Sequence, residues 1–284
     1  MNQPMSHGAP SRIAEAGSGR AERTSRKPQR SRRKLVIGLR IVLALLVAIG
    51  WEFAARRNWI DPFFYSMPSS IARQLFYWFR EGTAQGPLLA QLQVTFEEAL
   101  LGLVVGAIAG AGCAVVLVRN TLLADVFGFY IKIANALPLI VLGAIFVIAL
   151  GSGMTSKIAL AAVMAFFIVF GSAYRRAREV DGDTPGDGST SAARRSTVTG
   201  AISAALRGMV ENLLMAFALG LAGTLAGEFL GATQGIGCVI AASLREFNAS
   251  GVLAAMLALA VVAWLADYLL TTLQRRLLLR WAQP

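Results

Sequence analysis

Six apolar runs, at residues 35–51, 99–118, 133–150, 158–174, 213–227 and 252–266, are the strongest constraint this chain places on its own fold. The run 99–118 is 20 residues without a charge, about 30 Å as a helix, which matches the hydrocarbon core of a bilayer. In lipid every backbone N–H and C=O must be satisfied inside the protein, so such runs form helices. One run of this kind could be a buried helix of a soluble domain; six in one chain exclude that reading. The shorter runs reach spanning length with their flanks, as 213–227 does by extending back through Asn212 and Val210. The expectation is an all-α, polytopic membrane protein with six transmembrane helices over residues 35–281, preceded by a basic tail over residues 1–34.

Charge then orients the spans. The chain is 56% apolar and 15% charged, where a soluble domain would carry about a quarter charged residues. The net charge of +11 could suggest nucleic acid, but ten of the 27 Lys and Arg lie in the first 40 residues, outside or at the edge of the apolar region. Basic flanks beside apolar spans report orientation in a bilayer, and no nucleic-acid partner is expected. With the N-terminus inside, the inner segments hold 20 Lys and Arg and the outer segments six. Both termini are therefore expected in the cytoplasm. Residues 1–34 are polar, without periodicity, and read as disordered. The stretch SRRKLVIGL is similar to a twin-arginine export signal. With no clean small-residue cleavage site after it, it reads as the anchor of the first span.

Reaction chemistry has little to build on. His7 is the single histidine, and Cys113 and Cys238 lie far apart in the sequence. The composition offers no zinc-type ligand set and no base beside a nucleophile, so neither a metal site nor an enzyme is expected.

The spans do contain features suited to a path. Pro138 interrupts an apolar run with Asn135 just before it, and a broken helix frees backbone groups that protein or water must satisfy. A packed kink is the other reading. Gly102, Gly106 and Gly110 repeat every four residues, a smooth stripe for close helix packing. Glu228 ends the fifth run near the outer face and reads as a solvated or hydrogen-bonded terminus, with an ion site as the alternative. Gly231, Gly235 and Gly237 then allow tight turns before a short helix at 239–244. Glu97 and Glu98 read as interfacial. Ile71, Leu75, Phe76 and Phe79 fall at helical spacing and predict an interfacial helix, capped by Ser69 or Ser70.

Four segments carry a family resemblance: WEFAARRNWIDPFFYSMPSSI, NALPLIVLGAIFVIALGSGMTSKI, GEFLGATQGIGCVI and LLTTLQRRLLLRW. In this order and spacing, over residues 50–181 and 208–281, the chain resembles the permease subunit of ABC importers of the nitrate, sulfonate or taurine type. The resemblance implies a six-span fold of the methionine-importer type and a homodimer of permeases. It also implies a cytoplasmic ABC ATPase and an extracytoplasmic substrate-binding protein as partners, in the bacterial inner membrane. The chain has no GxxxxGK[ST] loop, so ATP and Mg would belong to the ATPase, with no cofactor here. Asn135, Pro138 and Glu228 would border the translocation path.

The resemblance also assigns the polar stretch 175–208 to the cytoplasmic loop that couples such permeases to their ATPase. Arg178, Val180 and Asp181 lead into it, and Ala204, Ala205, Leu206 and Gly208 match its far end, with Ser203 and Arg207 where prolines are expected. Between them, GDTPGDGSTSAARRSTVTG holds four glycines and one proline, at about 1 and 3 kcal/mol each in a helix interior. The family's first coupling helix is not expected there. A diverged loop, lost coupling and a compensated reading-frame error all fit this departure. A permease without coupling and an ATP-independent carrier are the rival functions.

Overall fold

A computed structural model describes residues 29–181 and 198–281. The expected coupling-loop residues 182–197 and most of the expected tail, residues 1–28, lie outside the described residues. Eleven helices are described: α1 (Gln29–Arg56), α2 (Pro62–Tyr65), α3 (Pro68–Glu81), α4 (Leu88–Arg119), α5 (Thr121–Asn135), α6 (Leu139–Leu150), α7 (Met154–Asp181), α8 (Val198–Glu211), α9 (Leu213–Gly231), α10 (Ile236–Arg245) and α11 (Ala249–Trp281).

Five of these are long and apolar enough to cross a membrane: Leu35–Arg56, Leu88–Arg119, Met154–Val180, Leu213–Gly231 and Ala249–Leu279. The run at 133–150 is a correction to the six-span expectation. It is split at Leu137–Pro138 between the end of α5 and the 12-residue α6. Proline has no N–H to donate and disfavours helical geometry in the residue before it. Pro138 accordingly stands as the N-cap of α6, in extended conformation.

The chain forms two units, residues 1–53 and 54–284. The first holds most of α1, which begins at Gln29 rather than after residue 34.

The second unit is organised around α4 and α7, with α9 packed on both. A Cβ on Gly102 would overlap Ala161, one on Gly106 would overlap the Ala162 carbonyl, and one on Gly110 would sit 2.9 Å from the Phe166 carbonyl oxygen. The glycine stripe therefore meets α7 directly, as its spacing predicts. In lipid, where burying apolar surface gives no drive between helices, such close backbone approach supplies the packing energy. Ala99, Leu103, Ala107, Ala165, Val169, Ala216 and Phe217 fill the core between these helices. The same device seats α8, where a Cβ on Gly208 would come 2.6 Å from the Ser172 carbonyl oxygen.

α3 forms where its periodicity predicts, but Met67 is its N-cap and Pro68 its first residue, not Ser69 or Ser70. Proline is pre-set for the first helical position and needs no acceptor there. Ile71 and Trp78 are its buried residues; Phe76 and Phe79 are exposed. α10 covers the expected 239–244 helix and starts three residues earlier.

Candidate functional site

α7 joins two polar regions, one near its start and one near its end. At the α10 end, α4 carries Gln91, Thr95 and Glu98 at helical spacing, so one face of its first turns is polar. α7 adds Lys157 and α9 adds Glu228. All five are buried, Glu98 and Glu228 at 1% exposure. Thr95 Oγ1 donates to Glu228 Oε1 at 2.6 Å, and the Gly237 amide donates to Glu228 Oε2 at 2.7 Å. The Ile236 amide donates to Thr95 Oγ1 at 2.8 Å, and the Gly235 amide to Gln91 Oε1 at 2.8 Å. Lys157 Nζ lies 4.0 Å from Glu98 Oε1 and donates to the Ser152 carbonyl at 2.8 Å. Its aliphatic stem runs against Gly227, where a Cβ would come 2.9 Å from Lys157 Cγ.

This end brings two carboxyl groups and one amine together, removed from water. Burying them is tolerable where each is paired or hydrogen-bonded. Glu228 meets that condition, with an acceptor bond on each oxygen. Glu98 interacts with both Lys157 and Glu228, and its Oε2 has no hydrogen-bond partner among the described residues. The interfacial reading of Glu98 is thus overturned. α4 starts at Leu88, a full 11 residues before the apolar run, which draws Glu98 into the bundle. Glu97 is exposed and accepts from Gln93 Nε2 at 2.7 Å. Glu228 is a hydrogen-bonded helix end, as expected, but buried.

At the α8 end, Phe166, Phe170 and Tyr174 stack along α7, and the Arg178 guanidinium lies 5.7 Å from the Tyr174 ring. Arg176 grips Glu211 of α8 with two bonds, Nε to Oε2 at 2.8 Å and Nη2 to Oε1 at 2.7 Å. A cavity of about 330 Å³ opens between these helices, lined by Arg176, Glu179, Val180, Ser203, Ala204 and Arg207 among others.

The structure brings the two flanks of the expected coupling region together, α7 against α8. Ala204 and Ala205 are buried, and Gly208 is seated on Ser172. Val180 and Leu206 are exposed, at 49% and 36%. The backbone of Asp181 closes α7. Asn135 and Pro138 lie exposed at the α5–α6 break, outside the buried cluster. Sequence reasoning missed Gln91, Thr95, Glu98 and Lys157. The 91, 95, 98 spacing ahead of an apolar run was the available signal.

Long apolar helices with a buried polar frame at one end and a charged cleft at the other define an all-helical, multi-pass membrane protein. Over residues 102–281 the chain matches the family described as binding-protein-dependent transport system inner membrane component, and it belongs to that family. It is a permease component of an ABC transporter and not the ATPase. A Haemophilus influenzae protein, provisionally named an ABC transporter permease protein, is 24% identical over 78% of this chain and 89% of its own length. A Bacillus subtilis protein, provisionally named an aliphatic sulfonates transport permease protein, is 25% identical over 92% of this chain and 93% of its own.

Proposed function

We propose that this chain is the membrane-spanning subunit of an ATP-driven importer for a small anion of the nitrate, sulfonate or taurine type. The family match over residues 102–281 carries the reading, and the Bacillus subtilis relative, named for aliphatic sulfonates, favours a sulfonate. Two copies would form the path, with both termini in the cytoplasm. Two ATPase subunits would hold ATP and Mg, and an extracytoplasmic protein would deliver the solute. Asn135 and Pro138 would border the path at the α5–α6 break, and Glu228 would frame its outer end from inside the bundle. The ATPase would meet the α7–α8 corner, through the half-buried Arg178, the exposed Val180 and Leu206 and through Asp181. Ala204, Ala205 and Gly208 would hold α8 in place behind them.

The test is co-expression with the ATPase encoded nearest this gene, purification in mild detergent, and reconstitution with the companion binding protein. A complex of two permeases and two ATPases that takes up an aliphatic sulfonate in preference to nitrate is expected. A well-folded permease that recruits no ATPase would support the uncoupled reading. Uptake without any ATPase would support an ion-coupled carrier.

A further inference from the structure

The first N–H groups of any helix lack acceptors within the helix and carry the positive end of its dipole. In α10 three consecutive amides, those of Gly235, Ile236 and Gly237, are each taken by a different side chain: Gln91, Thr95 and Glu228. Two of these acceptors come from α4 and one from α9, and the Thr95 hydroxyl joins them by donating to Glu228. The glycines are a condition of this arrangement. Gly235 has φ +105°, and a Cβ on it or on Gly237 would run into the Glu228 carboxylate.

The far end of α10 is quite different. Leu244, Arg245, Glu246 and Phe247 are exposed. Phe247 is held at φ +54° with 73% of its surface open, and its ring stacks on Phe63 of α2 at 6.4 Å. A bulky residue at positive φ is strained and persists only where its surroundings enforce it. α10 is thus a short lever, anchored in the buried cluster and ending in an exposed aromatic and charged tip.

We propose that Glu228 is a positioning residue for substrate delivery: through the leading amides of α10 it fixes the tip at residues 244–247 where the extracytoplasmic binding protein is received. The solute need not touch its carboxylate, since both oxygens are already engaged. This proposal rests on the importer reading above.

The experiment uses the reconstituted complex of permease, ATPase and binding protein, with Glu228→Ala, Glu228→Gln and Thr95→Val. Two readouts are taken: uptake against the concentration of liganded binding protein, and hydrogen exchange of the 235–237 amides. In Glu228→Ala, exchange at the Gly237 amide should rise about tenfold, as expected for losing its hydrogen bond. The half-saturating concentration of binding protein should rise about as much, while the maximal rate falls less than about twofold. Glu228→Gln should stay close to wild type. Its amide oxygen accepts from Gly237 and its NH₂ donates to Thr95, whose own proton turns to the Gln91 carbonyl 3.2 Å away. Thr95→Val should behave like Glu228→Ala, and it carries the test if Glu228→Ala fails to fold.

Unchanged exchange in both Glu228→Ala and Thr95→Val would overturn the clamp. Faster exchange with an unmoved half-saturation, or with rate and half-saturation lost together, would leave the clamp merely structural and overturn the positioning role. A Glu228→Gln variant as impaired as Glu228→Ala would overturn hydrogen bonding as its means. If the wild-type complex shows no uptake that depends on the binding protein, the importer reading fails and the positioning role with it. Amide exchange still reads the clamp in that case.

Discussion

The two ends of α7 use the same kinds of side chain in opposite surroundings. Lys157 and Glu98 meet at 4% and 2% side-chain exposure; Arg176 and Glu211, 19 residues further along α7, meet at 47% and 32%. The exposed pair has the better geometry, two short bonds against a single 4.0 Å approach. It should nevertheless matter less to stability. Water and salt weaken an exposed pair to about 0–1 kcal/mol. Removing one partner of a buried pair strands a charge at a cost of about 3–5 kcal/mol. Bond geometry alone is a poor guide to what holds the bundle; the solvent around the bond decides.

The largest effect is expected from Lys157→Met, which keeps the stem against Gly227 and removes the charge. Glu98 would then face Glu228 with no cation between them, and its Oε2 is already without a partner among the described residues. A loss of about 3–5 kcal/mol follows, read as thermal unfolding of the detergent-solubilised protein. Adding Glu98→Leu to Lys157→Met should recover much of that loss, because a buried pair replaced by apolar groups is often close to neutral. A single variant as stable as wild type would break the comparison at its stronger end.

An uncharged position between the ends separates packing from charge. In Gly106→Leu the new side chain would meet the Ala162 carbonyl, the Ala165 side chain and the Phe166 amide. Overpacking of this kind costs about 1–3 kcal/mol. Gly112, beside which a Cβ would find nothing within 4 Å, is the control, and Gly112→Ala should be neutral or slightly stabilising in the same unfolding assay.

Thr95→Val comes next. It withdraws an acceptor from the Ile236 amide and a donor from Glu228 without altering charge. About 1–2 kcal/mol is expected by the same measurement, the cost of leaving a buried polar group unmatched. A loss larger than that of Lys157→Met would mean that hydrogen bonding, not charge pairing, holds the α10 end.

Much of this was legible in the sequence, and the exceptions have physical causes. Spans, glycine stripe, amphipathic α3 and short α10 all follow from periodicity, which is local. Pro138 announced the break that divides the third run. What stayed hidden is the polar frame. Counting spans from the first uninterrupted apolar residue put Glu98 at an interface and left Lys157 just outside the run at 158–174, although a long helix can carry polar residues well into a bundle when partners await them. Those partners are distant in sequence: Thr95 and Glu228 are 133 residues apart, and Gln91 and Gly235 are 144. Glu228 stood out because it is a lone acid beside glycines, yet what the glycines accommodate is its own carboxylate. At the other end, the matched positions Ala204, Ala205 and Gly208 proved to be packing residues, as their small size allows. Which neighbours they would meet depended on how α8 returns to α7.

The smallest effect is expected at the exposed pair, and it is the sharpest check on the comparison. Arg176→Ala removes both bonds to Glu211, yet α8 keeps other attachments. Gly208 remains seated on the Ser172 carbonyl, and Gln274 Nε2 still donates to the Glu211 carbonyl at 2.9 Å, tying α8 to α11. The loss should be below about 1 kcal/mol at 0.1 M salt. It should shrink further at 1 M, where the screening length falls from about 10 Å to about 3 Å. Lys157→Met should show no such salt dependence, because its partner is out of reach of mobile ions. Unfolding of both variants at the two salt concentrations therefore gives four numbers from one assay. If Arg176→Ala lost as much as Lys157→Met and kept that loss in 1 M salt, the α8 end would be as dry as the α10 end. Its cleft would then have to be closed by protein, with the α7–α8 corner the first place to look for what closes it.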